Sequence, residues 1–310
     1  MTDTASGLVF GVDLGATKIL GGAFTPAPEL LGTEQRPAQG SEGASRVVEN
    51  LLLVLEALRE RYGAPAAIGI GAAGQIEWPA GRVLSSGGTI RGWAGTDLRR
   101  TVSARFGCSV VVDNDANAAA LAEQRLGAGH GARCVVCVTL GTGIGTGVVV
   151  DGAVLRGARG VAAEFGHTTV NFEGPRCSCG RRGCLEAYAS GRGLAGRYLD
   201  RTGRSVSGAD EVFTAAVGGD PEAASVIGEA SAALGEGLAN LAMAYNPDVI
   251  LLSGGMSARW DELVRPAVEH MRSAGLRANL EEVKVLPARL GPAAGLHGAA
   301  LLAIEEVFGQ

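Results

Sequence analysis

Short runs of β-branched and aliphatic residues alternate along this chain with stretches of helical periodicity. Residues 8–24, LVFGVDLGATKILGGAF, read as strand, glycine turn and strand, and residues 134–150, CVVCVTLGTGIGTGVVV, repeat that pattern. Both put a small polar residue (Asp13, Thr139) just before a Leu-Gly turn, and both resume a β-like pattern after it, so each predicts a hairpin. Between them, residues 46–62 place Val47, Leu51, Val54, Leu55 and Leu58 at helical spacing. AAIGIGA (66–72) and SVVVD (109–113) read as strands, and residues 116–127 as a helix closed by Gly127. The stretch 208–246 is Ala-rich and helical, PDVILLSGG (247–255) predicts a strand running into a glycine turn, and residues 295–308 predict a last helix. Such alternation predicts an α/β protein with largely buried sheets.

The hairpin reading changes what the glycines can be. A Walker A loop needs G-x-x-x-x-G-K-[ST] leading into a helix, and neither segment has it. A dinucleotide fingerprint also needs a helix after its glycines, whereas GVVVDGAV (147–154) is strand-like. What remains is a pair of turns whose backbone N–H groups can face anions. The 310 residues suffice for two domains, and 46% hydrophobic with 19% charged residues is a soluble balance. A net charge of −5 argues against a nucleic-acid footprint. No apolar run is long and glycine-free enough to cross a bilayer. The amino terminus carries an acid where a leader would carry positive charge, which predicts a cytoplasmic protein.

The candidate chemistry gathers at four places. VVVDNDANAAALAE (110–123) crowds Asp113, Asn114, Asp115 and Asn117 where a strand hands over to a helix. Helix capping accounts for one of them and leaves the others surplus, at a strand end where open α/β sheets bind ligands. In GVDLGATK (11–18) a plain turn needs Gly15, but neither Asp13 nor the Thr17-Lys18 pair; a nucleotide site needs backbone donors, a cation near phosphates and an acid for hydrated Mg²⁺. His167, Cys177, Cys179 and Cys184 form H-x9-C-x-C-x4-C, a Cys3His set suited to a closed structural Zn²⁺ site. A disulfide fits less well, since three thiols leave one unpaired, while Cys108, Cys134 and Cys137 lie beside or inside β-branched runs and read as core. Glu164 and Glu186 flank the cysteines and offer acceptors to a polyhydroxylated ligand, or are solvated surface acids. Zn²⁺ on one ring nitrogen of His167 would leave the other N–H to donate. Gly254 and Gly255 either make an ordinary turn or let the backbone approach a flat adenine.

DLGATK, DNDANAAALAE, LGTGIGTG, AEFGHTTV, CSCGRRGCLEAYAS and LSGGM stand in the order of the ROK sugar kinases, which this chain resembles from about residue 8 to its end. The resemblance implies an actin-like ATPase (ribonuclease-H-like) fold of two α/β domains flanking a cleft. One domain would take residues 1–116 plus about 297–310, and a larger one residues 117–296. It implies an ATP-dependent hexose kinase, glucose first, with another hexose or an N-acetylhexosamine as the alternative. By matched position Asp115 is the catalytic base, and Gly74, Asn114, Asp115, Glu164, His167 and Glu186 contact the sugar. Asp13, Gly15, Thr17 and Lys18 form the first phosphate loop, Thr142 and Gly143 the second, and Gly254 and Gly255 the adenosine side. ATP, Mg²⁺ and structural Zn²⁺ are the implied cofactors, and a homodimer or homotetramer the implied assembly, without membrane or nucleic acid. Ala16, Ala73 and Thr89 depart from the family's usual Gly, Pro and Asn. The family's repressors carry a DNA-binding domain ahead of the first loop, whereas here Asp13 follows only a dozen residues. A non-catalytic sugar sensor is the remaining alternative.

Overall fold

The computed structural model describes residues 7–85 and 87–309. The stretch through residue 6, on which the reading against a leader partly rests, lies outside the described residues. The chain divides into two compact units, one of residues 1–126, 153–162 and 292–310, the other of 127–152 and 163–291. The helix Asp115–Leu126 stays whole in the first unit. A boundary at 116/117 would cut it just inside its first turn. Its backbone lies against the helix Ala294–Phe308 so closely that a Cβ on Gly298 would overlap Ala118 O.

The first unit is built on a five-stranded sheet in the order β3-β2-β1-β4-β7. Its strands are β1 (Val9–Leu14), β2 (Lys18–Phe24), β3 (Leu30–Pro37), β4 (Ala67–Ala72) and β7 (Ser109–Asn114), with β5 (Gln75–Glu77) and β6 (Arg82–Ser85) forming a separate ribbon. β1, β2 and β3 run antiparallel, as a glycine hairpin requires, and β4 and β7 continue the sheet in parallel. Alternation along β1 feeds two cores. Phe10, Val12 and Leu14 pack with Leu51, Val54, Leu55 and Leu58 of the helix Ala44–Tyr62, while Val9 packs with Leu296, Ala300 and Ile304. On that second face Gly69 lets the last helix lie flush on the sheet, because a Cβ there would overlap Ala299 O. The register sets Leu14 beside Ala72 and Ala72 beside Asn114, so the loops after β1, β4 and β7 leave the sheet along one edge.

The second unit repeats the plan. β8 (Cys134–Leu140) and β9 (Ile144–Val150) form an antiparallel hairpin, and β11 (Val249–Ser253) and β12 (Lys284–Pro287) extend it in parallel. The two-residue strand β10 (Ala153–Val154) belongs by its contacts to the first unit. Pairing of Ser253 with Thr139 puts the turn after β8 and the glycines after β11 on one edge. The helical stretch expected over 208–246 is two helices, Ala209–Val217 and Pro221–Tyr245. Gly218 and Gly219 end the first, and the second starts with Asp220 accepting from Glu222 N and Ala223 N ahead of Pro221. Among the described residues no helix is long and apolar enough to cross a membrane.

Candidate functional site

In the first unit, three parallel strands deliver the predicted residues to one edge. β7 buries Val110, Val111 and Val112 and, one residue before its end, Asp113, which is 1% exposed. The Asp113 carboxylate is committed to the protein. Oδ1 accepts from Asn114 N (2.7 Å) and Asn117 Nδ2 (2.9 Å), and Oδ2 from Arg156 Nε (2.7 Å). The Arg156 guanidinium carbon lies 3.8 Å from the centroid of the Trp78 ring, so one cation serves a buried carboxylate and an aromatic face. Asn114 provides the cap, its Oδ1 accepting from Ala116 N (2.9 Å) and Asn117 N (3.2 Å), while its Nδ2 donates to Gly74 O at 2.9 Å. Gly74 sits at φ +103°, a conformation that explains glycine there. Asp115 opens the helix half-buried, with Oδ1 accepting from Ala116 N at 2.8 Å. The crowding at 113–117 thus resolves into a buried anchor (Asp113), a cap (Asn114), a strut (Asn117) and an acid on the helix's first turn (Asp115).

The turn after β1 is closed by Gly15 N donating to Lys18 O at 3.0 Å, with Thr17 exposed. Ala16 is not among the four described non-glycine residues at positive φ, so alanine is accommodated. Burial pushes the Asp13 carboxyl above its ordinary range, and the nearby Lys18 partly opposes this. A Cβ on Gly295 would lie 3.0 Å from Asp13 Cγ, so the glycine leaves space beside the carboxylate. An acid of that kind suits a hydrated Mg²⁺.

In the second unit the turn after β8 is closed by Gly141 N donating to Gly143 O at 3.0 Å, with Thr142 exposed. Gly254 (φ +85°) and Gly255 are exposed at the end of β11, and a Cβ on Gly254 would overlap Leu140 O. Thr139 Oγ1 and Ser253 Oγ are 3.0 Å apart at the ends of the paired strands.

The four predicted metal ligands converge in the same unit. One ligand atom each of His167, Cys177, Cys179 and Cys184 lies within 4.8 Å of all the others. His167 Nδ1 is 3.5 Å from Cys177 Sγ, and Cys179 Sγ is 3.7 Å from Cys184 Sγ. A tetrahedral Zn²⁺ with bonds of about 2.3 Å to sulfur and about 2.0–2.1 Å to nitrogen spans edges of about 3.8 Å between sulfurs and about 3.5 Å from nitrogen to sulfur. The donor set and spacing fit that ion. Without a cation the Cys184 thiol is pushed up to about 12, chiefly by burial and then by the neighbouring Cys179 and Cys177. His167 ends the turn Phe165–His167, and the exposed Glu164 precedes it. Ala163, just before Glu164, is held at φ +65°, a costly conformation for a residue with a Cβ.

Glu186 is placed differently from a surface acid. It is 8% exposed, and its Oε2 accepts from Ile144 N (3.0 Å) while Oε1 accepts from Arg192 Nη2 (3.0 Å) and Ser178 Oγ (3.3 Å). A carboxylate offers about four lone-pair positions, and these donors take three of them. Arg156, Ser178 and Arg192 were not legible as site residues. Their only local signal is polarity within loops or at a helix start.

The ROK family model matches residues 9–306. The glucokinase of Streptomyces coelicolor is 36% identical over 317 residues, covering 96% of this chain and 98% of its own length. The crystal structure of the ROK hexokinase from Thermus thermophilus superposes with a TM-score of 0.86 at 38% identity, covering 98% of this chain and all of its own. That of the ROK family glucokinase from Streptomyces griseus in complex with glucose and AMPPNP gives 0.78 at 37% identity, covering 96% and 99%. The paired hairpin-led sheets are those of the actin-like, ribonuclease-H-type α/β fold. By the extent of these matches, the chain belongs to the ROK family.

Proposed function

We propose that this chain is an ATP-dependent hexose kinase that transfers the γ-phosphoryl of MgATP to the 6-hydroxyl of its sugar, with glucose the first substrate. The observation that carries the reading is the junction after β7, where Asp113 is taken up by Asn114 N, Asn117 and Arg156, Asn114 caps the helix, and Asp115 stands on the helix's first turn. Similarity to glucokinases over 96% of the chain supports glucose as the acceptor. Asp115 accepts the proton of the attacking hydroxyl, a contribution of typically about 10²–10⁴-fold. Asn114, Gly74, Glu164, His167 and the remaining acceptor position of Glu186 orient the hydroxyls. His167 turns Nδ1 toward the cysteines, which leaves Nε2 for the sugar.

Phosphoryl transfer is catalysed mainly by positioning and by stabilising spread charge. The two glycine turns offer backbone N–H groups to the phosphates, Lys18 adds a cation at the first, and Gly254 and Gly255 leave room for adenine. Mg²⁺, when bound, neutralises charge on the phosphate oxygens, and Asp13 is the residue proposed to hold it. Zn²⁺ on His167, Cys177, Cys179 and Cys184 would be closed to water and act by fixing His167.

The test is turnover with ATP on glucose, mannose, N-acetylglucosamine and N-acetylmannosamine, with polyphosphate as the competing donor. Glucose with ATP should be the best pair. A preference for an N-acetylhexosamine would move the substrate, turnover on polyphosphate alone would remove the adenine role of Gly254 and Gly255, and no turnover on any sugar would leave a sensor.

A further inference from the structure

We propose that Glu186 is a positioning residue that ties the metal loop to the second glycine turn, so that losing the metal weakens nucleotide binding as well as sugar binding. The nucleotide half rests on the kinase reading above. The tie itself rests on contacts within one unit. Ser178 lies between the ligands Cys177 and Cys179, and its Oγ donates to Glu186 Oε1 at 3.3 Å. Glu186 follows the ligand Cys184 by two residues on the short helix Leu185–Ala189. Leu185 N donates to Thr168 O at 3.0 Å, next to the ligand His167. On its other side the carboxylate holds the turn after β8. Oε2 accepts from Ile144 N, and a Cβ on Gly143 would lie 2.6 Å from that oxygen, so the carboxylate packs flush against the turn.

Arg192 closes the circuit. Its Nη2 is bound to Glu186 Oε1, and its backbone N–H donates to Thr142 O at 3.3 Å, while Gly191 N–H donates to Gly141 O at 2.8 Å. Three segments therefore converge on one buried carboxylate. Burying that charge is tolerable only while its donors stay in place. Releasing the metal frees the chain on both sides of Ser178 and the residue before the helix that carries Glu186. The acceptor of Ile144 N–H then shifts, and with it the turn whose N–H groups are proposed to face phosphate. A zinc site that only staples its own loop would leave residues 141–146 untouched.

The experiment compares the zinc-loaded protein, the same protein after chelation, and Ser178→Ala, which keeps all four ligand atoms. Two quantities are read without sugar: amide exchange across 141–146, and the dissociation constant of a non-hydrolysable ATP analogue. Chelation should speed exchange across 141–146 and weaken the analogue by about 10–100-fold, the usual cost of losing support behind a ligand-binding group. Ser178→Ala, with its zinc retained, should change both in the same direction by up to about 10-fold, the effect of one hydrogen bond. Faster exchange across 168–184 with 141–146 and analogue affinity unchanged overturns the proposal. Should the chelated protein unfold, Ser178→Ala decides alone, and equal exchange and equal affinity to wild type overturn it. A chain that binds no ATP analogue in any form refutes the kinase reading instead, and exchange across 141–146 still decides the tie.

Discussion

Replacing Arg156 by Ala should destabilise the first unit far more than removal of an ordinary surface arginine. Its Nε sits 2.7 Å from Asp113 Oδ2, with the two side chains 18% and 1% exposed, and its guanidinium covers Trp78 at 3.8 Å. Losing a hydrogen bond to a charged group costs about 1.5–3 kcal/mol, and a partly desolvated cation–π contact adds about 0.5–2 kcal/mol. Breaking a buried pair from one side typically costs about 3–5 kcal/mol, because the remaining charge is left uncompensated. These figures overlap, so counting each contact once gives about 3–4 kcal/mol. Changing Asp113 to Asn in the same background removes the charge that needs the cation, and should return about 1–2 kcal/mol. The assay is urea unfolding followed through Trp78 and Trp93, both in the first unit, with Trp260 of the second unit replaced by Phe in every variant. An Arg156→Ala unfolding free energy within about 0.5 kcal/mol of its parent's would make this pair equivalent to a solvated one. A double variant no more stable than Arg156→Ala would show that the stranded carboxylate is not the cause.

Other expectations are narrower. Asp115→Asn should fold normally and lose at least about two orders of magnitude in kcat with sugar binding largely kept; near-wild-type turnover would remove Asp115 from the chemistry. Asp13→Asn should raise the urea midpoint, since burial disfavours the ionised carboxyl, while lowering turnover and its dependence on Mg²⁺; a less stable variant would refute the burial argument. The Asp220 carboxyl is held down at about 2, first by the Tyr198 hydroxyl, against the opposing effect of burial, and then by Arg204 and the N–H groups of Ala223 and Glu222. A folded value below the unfolded one of about 3.9 adds stability that is complete above that pH and is lost as the pH falls toward 2, so the gap between wild type and Asp220→Asn in urea midpoint should shrink over that range and be flat above about pH 5.

What could be read from the chain was set by the range of the interactions involved. The hairpins at Gly15 and Gly141, the helix over 46–62 and the strand at 67–72 follow from periodicity and turn chemistry, which are local. The Cys3His set was legible because Zn²⁺ chemistry prescribes both ligand type and spacing. Arg156 was not, since its partner lies 43 residues away and its arm, 153–162, has no hydrophobic period to mark it. Glu186 was read as a solvated acid or a sugar acceptor because its donors, at 144, 178 and 192, are brought together only by folding. The break at 218–220 had a local signal in Gly-Gly-Asp-Pro, which the Ala-rich composition around it obscured.

The internal repeat also shows where the halves diverge and why. β1 and β8 end on the same backbone pattern, each just ahead of a glycine-closed turn, so the hairpin scaffold is duplicated. The side chains at the strand ends are not. Asp13 is a largely buried acid opposed by one lysine, and Gly295 keeps space open beside it. Thr139 instead meets Ser253 across 3.0 Å in a hydroxyl pair that carries no charge. A buried carboxylate whose pKa is raised is stabilised in its ionised form by any further cation that reaches it, whereas a neutral hydroxyl pair brings no charge to pair with one. On the proposed kinase reading, cation handling therefore falls to the first turn. On the same reading the second turn, which carries no charged side chain, would meet phosphate chiefly through backbone N–H groups, so its placement matters more, and Glu186 accepts from Ile144 N within it.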